Sequence, residues 1–264
     1  MLAKERQSYI EKMLLKDGAV TTSSLVAQFG VSVETIRRDF LAMEKNGLLT
    51  RVHGGAVANG EMMPFHDLAH RNLESSDQKR ELSRIAVEFV SEGDYIAVDA
   101  GSTAIAFAEA LRERFTRLTV VTYSSDVFEI LRNHKEISVI LCGGHYMREE
   151  NSFFGNLTLE MLEKLHVQKA FVFPSAVSLE FGICDYQQDF YLLQKKLLTI
   201  SDSIFILADS SKFEKKALLK LDDMRPEYTY VTDSRLSGEL KNIYEENNLK
   251  VVNEENGKER ARYG

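Results

Sequence analysis

The stretch SVETIRRDFLAMEKNGLLTRVH, residues Ser32 to His53, decides the fold of the N-terminal part of the chain. Ser32 is a typical helix N-cap and Gly47 a natural stop, which predicts a helix over residues 32–46. At roughly 100° per residue, its apolar side chains form one stripe, made of Val33, Ile36, Phe40 and Met43. The opposite side carries polar, charged and small residues, namely Glu34, Arg38, Ala42 and Lys45, flanked by Thr35 and Arg37.

A short β-prone segment, residues 48–57, follows this helix and is turned by Gly54 and Gly55. It carries two basic side chains, Arg51 and His53. A helix with outward arginines fits the major groove of DNA, and a basic hairpin fits the backbone or the minor groove. An isolated Arg-Arg pair more often marks an ordinary surface helix, so the interpretation depends on the neighbouring elements.

Two further helices precede the stretch. Residues 3–16 have the spacing of an amphipathic helix, with Tyr9, Ile10, Met13 and Leu14 on one face. Thr21 or Thr22 can cap a second helix that ends at Gly30, and its inward residues are Leu25, Val26 and Phe29. This order predicts a winged helix-turn-helix over residues 1–57. We expect its DNA contacts to come from Ser32, Thr35, Arg37, Arg38, Lys45, Arg51 and His53.

The composition excludes several classes of protein. The 264 residues suffice for two domains, and the apolar fraction of 44% is that of a globular protein. The sequence contains no run of 18 apolar residues and begins with a charged segment, so we expect a cytoplasmic protein without a membrane span. Cys142 and Cys184 have no paired spacing and the six histidines no ligand spacing, so we expect no metal and no cofactor.

The net charge of −7 is unevenly distributed along the chain. Residues 1–56 have a balance of +2, whereas the remaining 208 residues have a balance of −9. This asymmetry is compatible with a mildly basic DNA-binding domain attached to an acidic body. Because affinity for DNA depends on the number of phosphates neutralised, a balance of +2 predicts a homo-oligomer, either a dimer or a tetramer.

The rest of the chain alternates between helices and strands. Residues 58–76 have little periodicity and contain Pro64, which predicts a linker. The sequence predicts a charged tail over residues 254–264. Over residues 77–253 it predicts a Rossmann-like, mostly parallel α/β domain. Its expected strands are Tyr95–Val98, Leu118–Thr122, Ile137–Leu141, Lys169–Phe173, Ile204–Ala208, Tyr228–Val231 and Lys250–Val252.

Several turns of small, polar residues follow these strands. Ligands of such sheets bind beyond the carboxyl ends of the strands, and helix N-termini there favour anions. Each turn alone is more often a plain strand-to-helix connection. Together they predict a phosphate-binding rim that includes Asp99, Gly101, Ser102, Thr103, Thr122, Ser124, Gly143, Gly144 and Lys212.

Residues 5–57 resemble the DNA-binding domain of DeoR-type transcriptional repressors. The resemblance rests on closely spaced matches, which are Glu5-Arg6, Leu25, Phe29-Gly-Val-Ser32, Thr35-Ile-Arg-Arg-Asp39, Glu44, Gly47 and the Arg51-to-Ala56 segment. Residues 77–232 resemble the effector domain of the same family, which is itself similar to ribose-5-phosphate isomerase. The resemblance implies a repressor of carbohydrate metabolism genes that binds operator DNA and a phosphorylated sugar.

The resemblance also assigns roles to individual residues. It implies that a sugar phosphate is held by Gly101, Ser102, Thr103 and Lys212. It further places Lys195 where both families often have a lysine, although an ordinary solvated helix lysine explains Lys195 equally well.

The sequence departs from both families in ways that keep two alternatives open. Isomerases of this fold carry an acidic Asp-Gly-Ala-Asp-Glu stretch where this chain has Pro174–Ser178, so a sugar-phosphate isomerase with an attached DNA reader would lack its base. Glu180 and Asp185 are off that pattern. The repressors usually have Thr-Asn-Ser where this chain has Thr122-Tyr123-Ser124. They usually have Gly-Ala-x-Gly where this chain has Ser175–Ser178. These departures allow a ligand-independent DNA-binding protein. We therefore predict a regulator that is not an enzyme.

Overall fold

The fold is described from a computed structural model of the chain, which describes residues 3–17, 19–45, 48–52, 55–58 and 68–253. The chain divides into two compact units, a first unit of residues 1–66 and a second unit of residues 67–264. The predicted helix stop Gly47, the wing residue His53, most of the predicted linker and the tail 254–264 lie outside the described residues.

The first unit is built from three helices and a small antiparallel sheet. The helices are α1 (Ala3–Asp17), α2 (Thr22–Phe29) and α3 (Val33–Lys45). The strands are β1 (Ala19–Thr21), β2 (Leu49–Val52) and β3 (Gly55–Ala58), arranged in the order β1-β3-β2. The winged helix-turn-helix predicted from the sequence is confirmed, and β1 adds a third strand that the sequence pattern did not indicate.

The core of the first unit lies between α1, α2, α3 and the sheet. Its fully buried members include Ile10, Leu25, Ile36, Phe40, Met43 and Leu49. Two residues that we predicted to face inward are exposed: Val33 is 46% exposed and Tyr9 is 51% exposed. Val33 is the first residue of α3 and lies before the first turn that packs on the core. Tyr9 instead places its ring edge against Phe29, with ring centroids 6.2 Å apart.

The second unit alternates helices with parallel strands. Its helices are α4 (Leu68–Leu73), α5 (Ser76–Ala86), α6 (Ser102–Arg114), α7 (Ser125–Leu131), α8 (Asn156–Glu163), α9 (Gln188–Leu197) and α10 (Gly238–Glu246). Its strands are β4 (Tyr95–Val98), β5 (Leu118–Thr122), β6 (Ile137–Leu141), β7 (His145–Met147), β8 (Ser152–Phe154), β9 (Val167–Val172), β10 (Ala176–Ser178), β11 (Gly182–Asp185), β12 (Ser201–Leu207), β13 (Leu219–Asp222), β14 (Thr229–Val231) and β15 (Lys250–Val252).

Seven of these strands form one sheet in the order β15-β14-β12-β9-β4-β5-β6, and all neighbours pair in parallel. Buried apolar side chains form a separate core on each face of the sheet. The predicted mostly parallel α/β fold is therefore confirmed. Because the strands are parallel, their carboxyl ends share one edge, and the predicted rim residues follow those ends.

Three features of the second unit were not predicted. A hairpin joins β7 to β8, and a three-stranded antiparallel sheet has the order β10-β11-β13. Helix α4 occupies residues 68–73, within the stretch that we predicted to be a linker. One of the short strands contributes a side chain near the rim, because Asp185 of β11 accepts a hydrogen bond from Gln194, which also bonds to Asp99.

Candidate functional site

Helix α3 starts at a side-chain cap. The Oγ of Ser32 accepts a hydrogen bond from the backbone N–H of Thr35 at 3.2 Å, and the two hydroxyl oxygens are 2.9 Å apart. Helix α2 ends at Gly30, whose φ of +64° lies in the left-handed region that favours glycine. The cap and the glycine together make the tight turn between α2 and α3, which sets the direction of α3.

The outer face of α3 carries the predicted DNA-contacting side chains. Arg37, Arg38 and Lys45 are exposed, and Thr35 is partly exposed. The carboxylate of Glu34 is 3.9 Å from Arg37, with both side chains about two-thirds exposed. An exposed pair at this distance holds Arg37 weakly, so Arg37 is available to phosphates and base edges, and Arg38 is exposed beside it. Asp39, on the buried side of α3, pairs with Arg6 of α1.

The wing is joined to α3 by a side chain. Glu44 accepts hydrogen bonds from the backbone N–H of Arg51 at 2.9 Å and from its Nε at 2.6 Å. These bonds lower the pKa of Glu44. Arg51 is therefore exposed but already engaged with a carboxylate. Gly55 allows β3 to approach β1, because a Cβ at this position would lie 2.1 Å from the carbonyl oxygen of Val20.

At the rim of the second unit, Asp99 is the centre of a buried hydrogen-bond network. Its Oδ1 accepts bonds from the hydroxyl of Tyr123 and the N–H of Ala100, and its Oδ2 from the N–H of Phe173 at 3.1 Å and Nε2 of Gln194 at 3.1 Å. Burial nevertheless raises the pKa of Asp99 to about 6, and the hydrogen bond from Tyr123 opposes that rise. Asp99, which follows β4, therefore joins residues that follow β5 and β9 through hydrogen bonds.

The Gly101-Ser102-Thr103 turn follows Asp99 and begins α6. Gly101 has a φ of +114°, a conformation that side chains rarely adopt. Thr103 is 1% exposed, and its Oγ1 has no hydrogen-bond partner within the described part of the chain. The first N–H groups of a helix have no partner further along the helix, although that of Ala104 bonds to the carbonyl oxygen of Gly101 at 3.1 Å. The turn therefore offers several donors that a bound anion could satisfy.

Lys212 lies in the short helical turn Ser210–Lys212 that follows β12. Its Nζ donates to the carbonyl oxygen of Pro174, which follows β9, at 2.8 Å. Burial is the main cause that lowers the pKa of Lys212, and the positive charge of Arg71 lowers it further. Lys79, only 5% exposed, has its pKa lowered to about 8 by burial and by the charge of Lys212. Three cationic side chains thus lie close enough to affect one another. An arriving anion would relieve their repulsion.

The other predicted rim residues are used within the fold. The Oγ1 of Thr122 accepts from the N–H of Ser124 at 3.1 Å, and Ser124 caps α7 by accepting from Val127 at 3.3 Å. The carbonyl of Gly143 accepts from Thr158 at 3.0 Å. A Cβ on Gly144 would lie 2.2 Å from Oγ1 of Thr158. Gly144 therefore allows α8 to pack closely, whereas a Cβ on Gly143 would meet nothing within 4 Å. A role of either glycine in holding a ligand remains a prediction.

Lys195 bonds to a strand of the small antiparallel sheet. Its Nζ donates to the carbonyl oxygen of Leu221 in β13 at 2.6 Å. The preceding residue, Gln194, is the one that faces Asp99. Its Nε2 bridges Asp99 and Asp185, at 3.1 and 2.9 Å, and its Oε1 has no partner among the described residues. The role in holding a sugar phosphate that the resemblance implies for Lys195 stays a prediction.

Sequence reasoning missed several residues at this rim, namely Arg71, Lys79, Glu150, Asp185 and Gln194. Arg71 of α4 pairs with the buried carboxylate of Glu150, which follows β7. Asp185 accepts hydrogen bonds from Ser175 Oγ at 3.0 Å and Tyr186 N–H at 2.6 Å. Most of these residues lie among other polar residues in the sequence, as Lys79 does between Gln78 and Arg80, so no local signal reveals their partners.

Some kinds of site are not found in the part of the chain that the structure describes. No group of three metal-ligating side chains lies together among those residues. No helix within the described ranges is long and apolar enough to cross a membrane. Both cysteines are buried free thiols, and burial raises the pKa of Cys142 to about 11. A thiol with this pKa is a poor nucleophile.

The sequence matches two family profiles that together span most of its length. Residues 6–61 match the DeoR-like helix-turn-helix domain, and residues 74–234 match the DeoR C terminal sensor domain. The two matched segments coincide with the winged fold and with most of the parallel sheet.

Several curated proteins are similar over nearly their whole length. An uncharacterized HTH-type transcriptional regulator, YulB of Bacillus subtilis, is 32% identical, covering 96% of this chain and 97% of that protein. The lactose phosphotransferase system repressor of Lactococcus lactis is 30% identical over 90% and 93%. The L-fucose operon activator of Haemophilus influenzae is 30% identical over 94% and 98%.

Among solved structures, ribose 5 phosphate isomerase A of Neisseria gonorrhoeae is similar to this chain. The identity is 22%, the TM-score is 0.40, and the likeness covers 56% of each chain. A likeness at this level bears on neither activity nor ligand.

Proposed function

The chain belongs to the DeoR family of transcriptional regulators, and on that premise we propose that it is a repressor of carbohydrate metabolism genes. Paired copies of the first unit bind operator DNA in the cytoplasm, and a phosphorylated sugar bound at the rim of the second unit weakens that binding. Operators with repeated half-sites require a homo-oligomer, a dimer or a tetramer.

The DNA half of this proposal is supported by the outer face of α3. Arg37 and Arg38 project from a helix whose start is fixed by the Ser32 cap, and neither lies in the core. Thr35, Lys45, Arg51 and His53 complete the proposed contact surface. Since residues 1–56 carry a balance of only +2, the affinity of one copy is low at physiological salt. Two copies on adjacent half-sites supply the missing phosphate contacts.

The ligand half is carried by one observation: burial and, less strongly, the charge of Arg71 lower the pKa of Lys212, and Nη1 of the same Arg71 lies 3.5 Å from the position of a Cβ on Gly101, where α6 begins. A phosphate dianion there would pair with the ammonium and take hydrogen bonds from the start of α6. The unpartnered Oγ1 of Thr103 would donate to the same anion or to its sugar. Asp99, Thr122, Ser124, Gly143 and Gly144 shape the surroundings.

Release of DNA requires a difference in affinity between two states. A sugar phosphate that bound the DNA-bound and DNA-free forms equally would not change operator binding, however tightly it bound. We therefore propose that the ligand prefers a form of the oligomer whose helices α3 do not match the half-site spacing.

A thermal-shift screen tests the ligand half. Ligand at about 100 times its Kd stabilises a protein by about 2.7 kcal/mol, which is several degrees of melting temperature for a unit of this size. We expect ribose 5-phosphate, glucose 6-phosphate or another phosphorylated sugar to stabilise the full chain, and Lys212→Gln to remove that stabilisation. If no phosphorylated sugar stabilises the chain, the alternative of a ligand-independent DNA-binding protein is favoured.

An enzymatic function is the second candidate, and one observation argues for it. Asp99 and Asp185 are two buried carboxylates bridged by Gln194, and a carboxylate is the base that sugar-phosphate isomerisation needs. Both carboxylates, however, already accept several hydrogen bonds from the fold. An isomerisation assay on pentose and hexose phosphates separates the two functions. Turnover that Asp185→Ala abolishes would establish an isomerase-class enzyme with a DNA reader.

A further inference from the structure

Leu41 is an exposed apolar residue on the outer face of α3. Its side chain is 52% exposed, whereas leucines of globular proteins are among the residues that are most often buried. A single exposed leucine on an ordinary surface helix is common and needs no explanation. The position of Leu41 is different, because it lies on the face of α3 that we propose to enter the major groove of DNA.

The geometry of the helix places Leu41 among basic side chains. Residues three and four positions apart are neighbours on the surface of a helix. Arg37 and Arg38 therefore lie one turn before Leu41 and Lys45 lies one turn after it, and all three are exposed. The opposite side of α3 is buried and consists of Ile36, Asp39, Phe40 and Met43. The positive charges around Leu41 complement a DNA backbone, which favours DNA as the partner that covers this leucine.

The chemistry of the major groove limits what Leu41 can contact there. A leucine side chain neither donates nor accepts a hydrogen bond, whereas most groups on the base edges are donors or acceptors. Covering such a group with leucine would remove its water without replacing the hydrogen bond, which costs free energy. The C5-methyl group of thymine is the apolar group that a base edge presents in this groove. A leucine on this face of α3 therefore fits a thymine.

We propose that Leu41 is a specificity-determining residue of the first unit, and that it contacts the C5-methyl group of a thymine in each half-site of the operator. This inference rests on the proposed function and deepens it by assigning a base. At about 1.5 Å of rise per residue, Leu41 lies about 4.5 Å along α3 from Arg38 and about 6 Å from Arg37. Since base pairs are about 3.4 Å apart, the thymine lies about one or two base pairs from those that the arginines contact.

The exposure of Leu41 allows the contact to be removed without loss of the fold. Leu41→Ala shortens a side chain that lies largely outside the core, and alanine favours a helix at least as strongly as leucine does. We therefore expect this variant to fold as the unchanged chain does. Leu41→Met keeps an apolar side chain of similar volume, so it should keep the contact with the methyl group.

The test uses the full chain and a duplex that it selects from random-sequence DNA, in which each thymine is replaced in turn by deoxyuridine. Deoxyuridine pairs with adenine as thymine does and lacks only the methyl group. Loss of one buried methyl group should weaken binding about fourfold at one thymine of each half-site, as measured by fluorescence anisotropy at fixed salt. Leu41→Ala should bind the thymine and deoxyuridine duplexes alike, whereas Leu41→Met should still distinguish them.

Leu192→Ala is the matched control, because it removes a leucine of α9 that is 56% exposed. This variant should distinguish thymine from deoxyuridine as well as the unchanged chain does. The comparison of two proteins with two duplexes is a double-mutant cycle, so it isolates the coupling between the leucine and the methyl group. A leucine that acted only on the stability of α3 would weaken binding to both duplexes equally.

The outcomes separate this inference from the proposed function. If the full chain selects no DNA sequence, the proposed function fails and this inference with it. If the chain selects a sequence in which no thymine replacement weakens binding, the inference alone is overturned. It is also overturned if every such replacement weakens binding of the unchanged chain and of Leu41→Ala equally. Equal losses would assign the thymine to another side chain such as Thr35, whose methyl group can also contact it.

Discussion

Arg6 and Asp39 form a buried ion pair that joins α1 to α3. The Nε of Arg6 is 2.5 Å from Oδ2 of Asp39, and its Nη2 is 3.2 Å from Oδ1. Gln7 donates a further hydrogen bond to Oδ1 at 3.2 Å. Asp39 directly follows Arg38, which points outward. The pair therefore fixes the rotation of α3 about its axis, and with it the direction of the arginines that we propose to contact DNA.

Breaking this pair should destabilise the first unit strongly. Asp39→Asn leaves the buried guanidinium without its counter-charge, and such losses cost about 3–5 kcal/mol. Urea unfolding followed by circular dichroism measures the change. Combining Arg6→Met with Asp39→Leu should recover much of the stability, since apolar side chains can replace a buried pair. The matched control, Arg37→Met, breaks the exposed pair with Glu34 and should cost less than about 1 kcal/mol. Equal costs for the two pairs would refute this role.

Arg38→Ala should weaken operator binding without changing stability. Arg38 is exposed on the outer face of α3, and loss of an arginine that contacts a base edge costs about 1–3 kcal/mol. Fluorescence anisotropy with operator DNA at a fixed salt concentration measures this loss. Arg84→Ala in the second unit removes the same charge and should bind DNA normally. An Arg38→Ala chain with unchanged affinity would exclude Arg38 from the interface.

Tyr123→Phe should raise the pKa of Asp99 above its value of about 6. The tyrosine hydroxyl donates to Oδ1 of Asp99 and so stabilises the ionised form, whereas burial disfavours it. Because the folded pKa lies above the ordinary value of 3.8, the stability contributed by Asp99 is full below pH 3.8. It is lost as the pH rises through about 6, and Tyr123→Phe extends that loss to higher pH.

Carboxyl carbon NMR across a pH titration gives the pKa of Asp99 directly. Tyr146→Phe is the control, because Tyr146 is 50% exposed on β7 and bonds to Asn151 instead. An Asp99 that titrates at the same pH in Tyr123→Phe and in the unchanged chain would show that the hydroxyl does not stabilise the carboxylate.

Gly55→Ala should disrupt the wing. A Cβ there would lie 2.1 Å from the carbonyl oxygen of Val20, so β1 and β3 would have to separate and lose ladder hydrogen bonds. We expect a cost of about 1–3 kcal/mol, as for other overpacked sites, together with weaker DNA binding. Gly238→Ala in α10, where a Cβ meets nothing within 4 Å, should be neutral or stabilising. Similar melting temperatures for the two variants would contradict the close approach at Gly55.

The elements that could be predicted from the sequence are those with a strong local signal. The helix of the opening stretch has an N-cap and a regular apolar spacing, and the parallel strands are continuous apolar runs such as Tyr95–Val98. Strands β7, β8, β10, β11 and β13 contain only three or four residues. At that length, alternation cannot be distinguished from chance, and their pairing partners decide whether they form.

The sequence predicts where the rim lies but not all of the side chains that form it. Asp99 and Lys212 follow strand ends, so the topology brings them together. Gln194 and Lys195 are adjacent in a helix and differ by about 100° in direction, and the sequence alone does not show that Gln194 is the one that bonds to Asp99. Arg71 and Glu150 are separated by 79 positions, and nothing local to either residue indicates the other.

The most direct test of the account measures binding of the full chain to DNA from the intergenic regions beside its own gene, with and without phosphorylated sugars. At fixed salt and with competitor DNA present, we predict specific binding that one phosphorylated sugar abolishes for the unchanged chain. For Lys212→Gln we predict the same binding without release. No preference over competitor DNA would contradict the proposed regulator. The chain could also bind this DNA specifically while no phosphorylated sugar alters the binding, not even a sugar that stabilises the chain. That result would contradict the proposed link between ligand and operator.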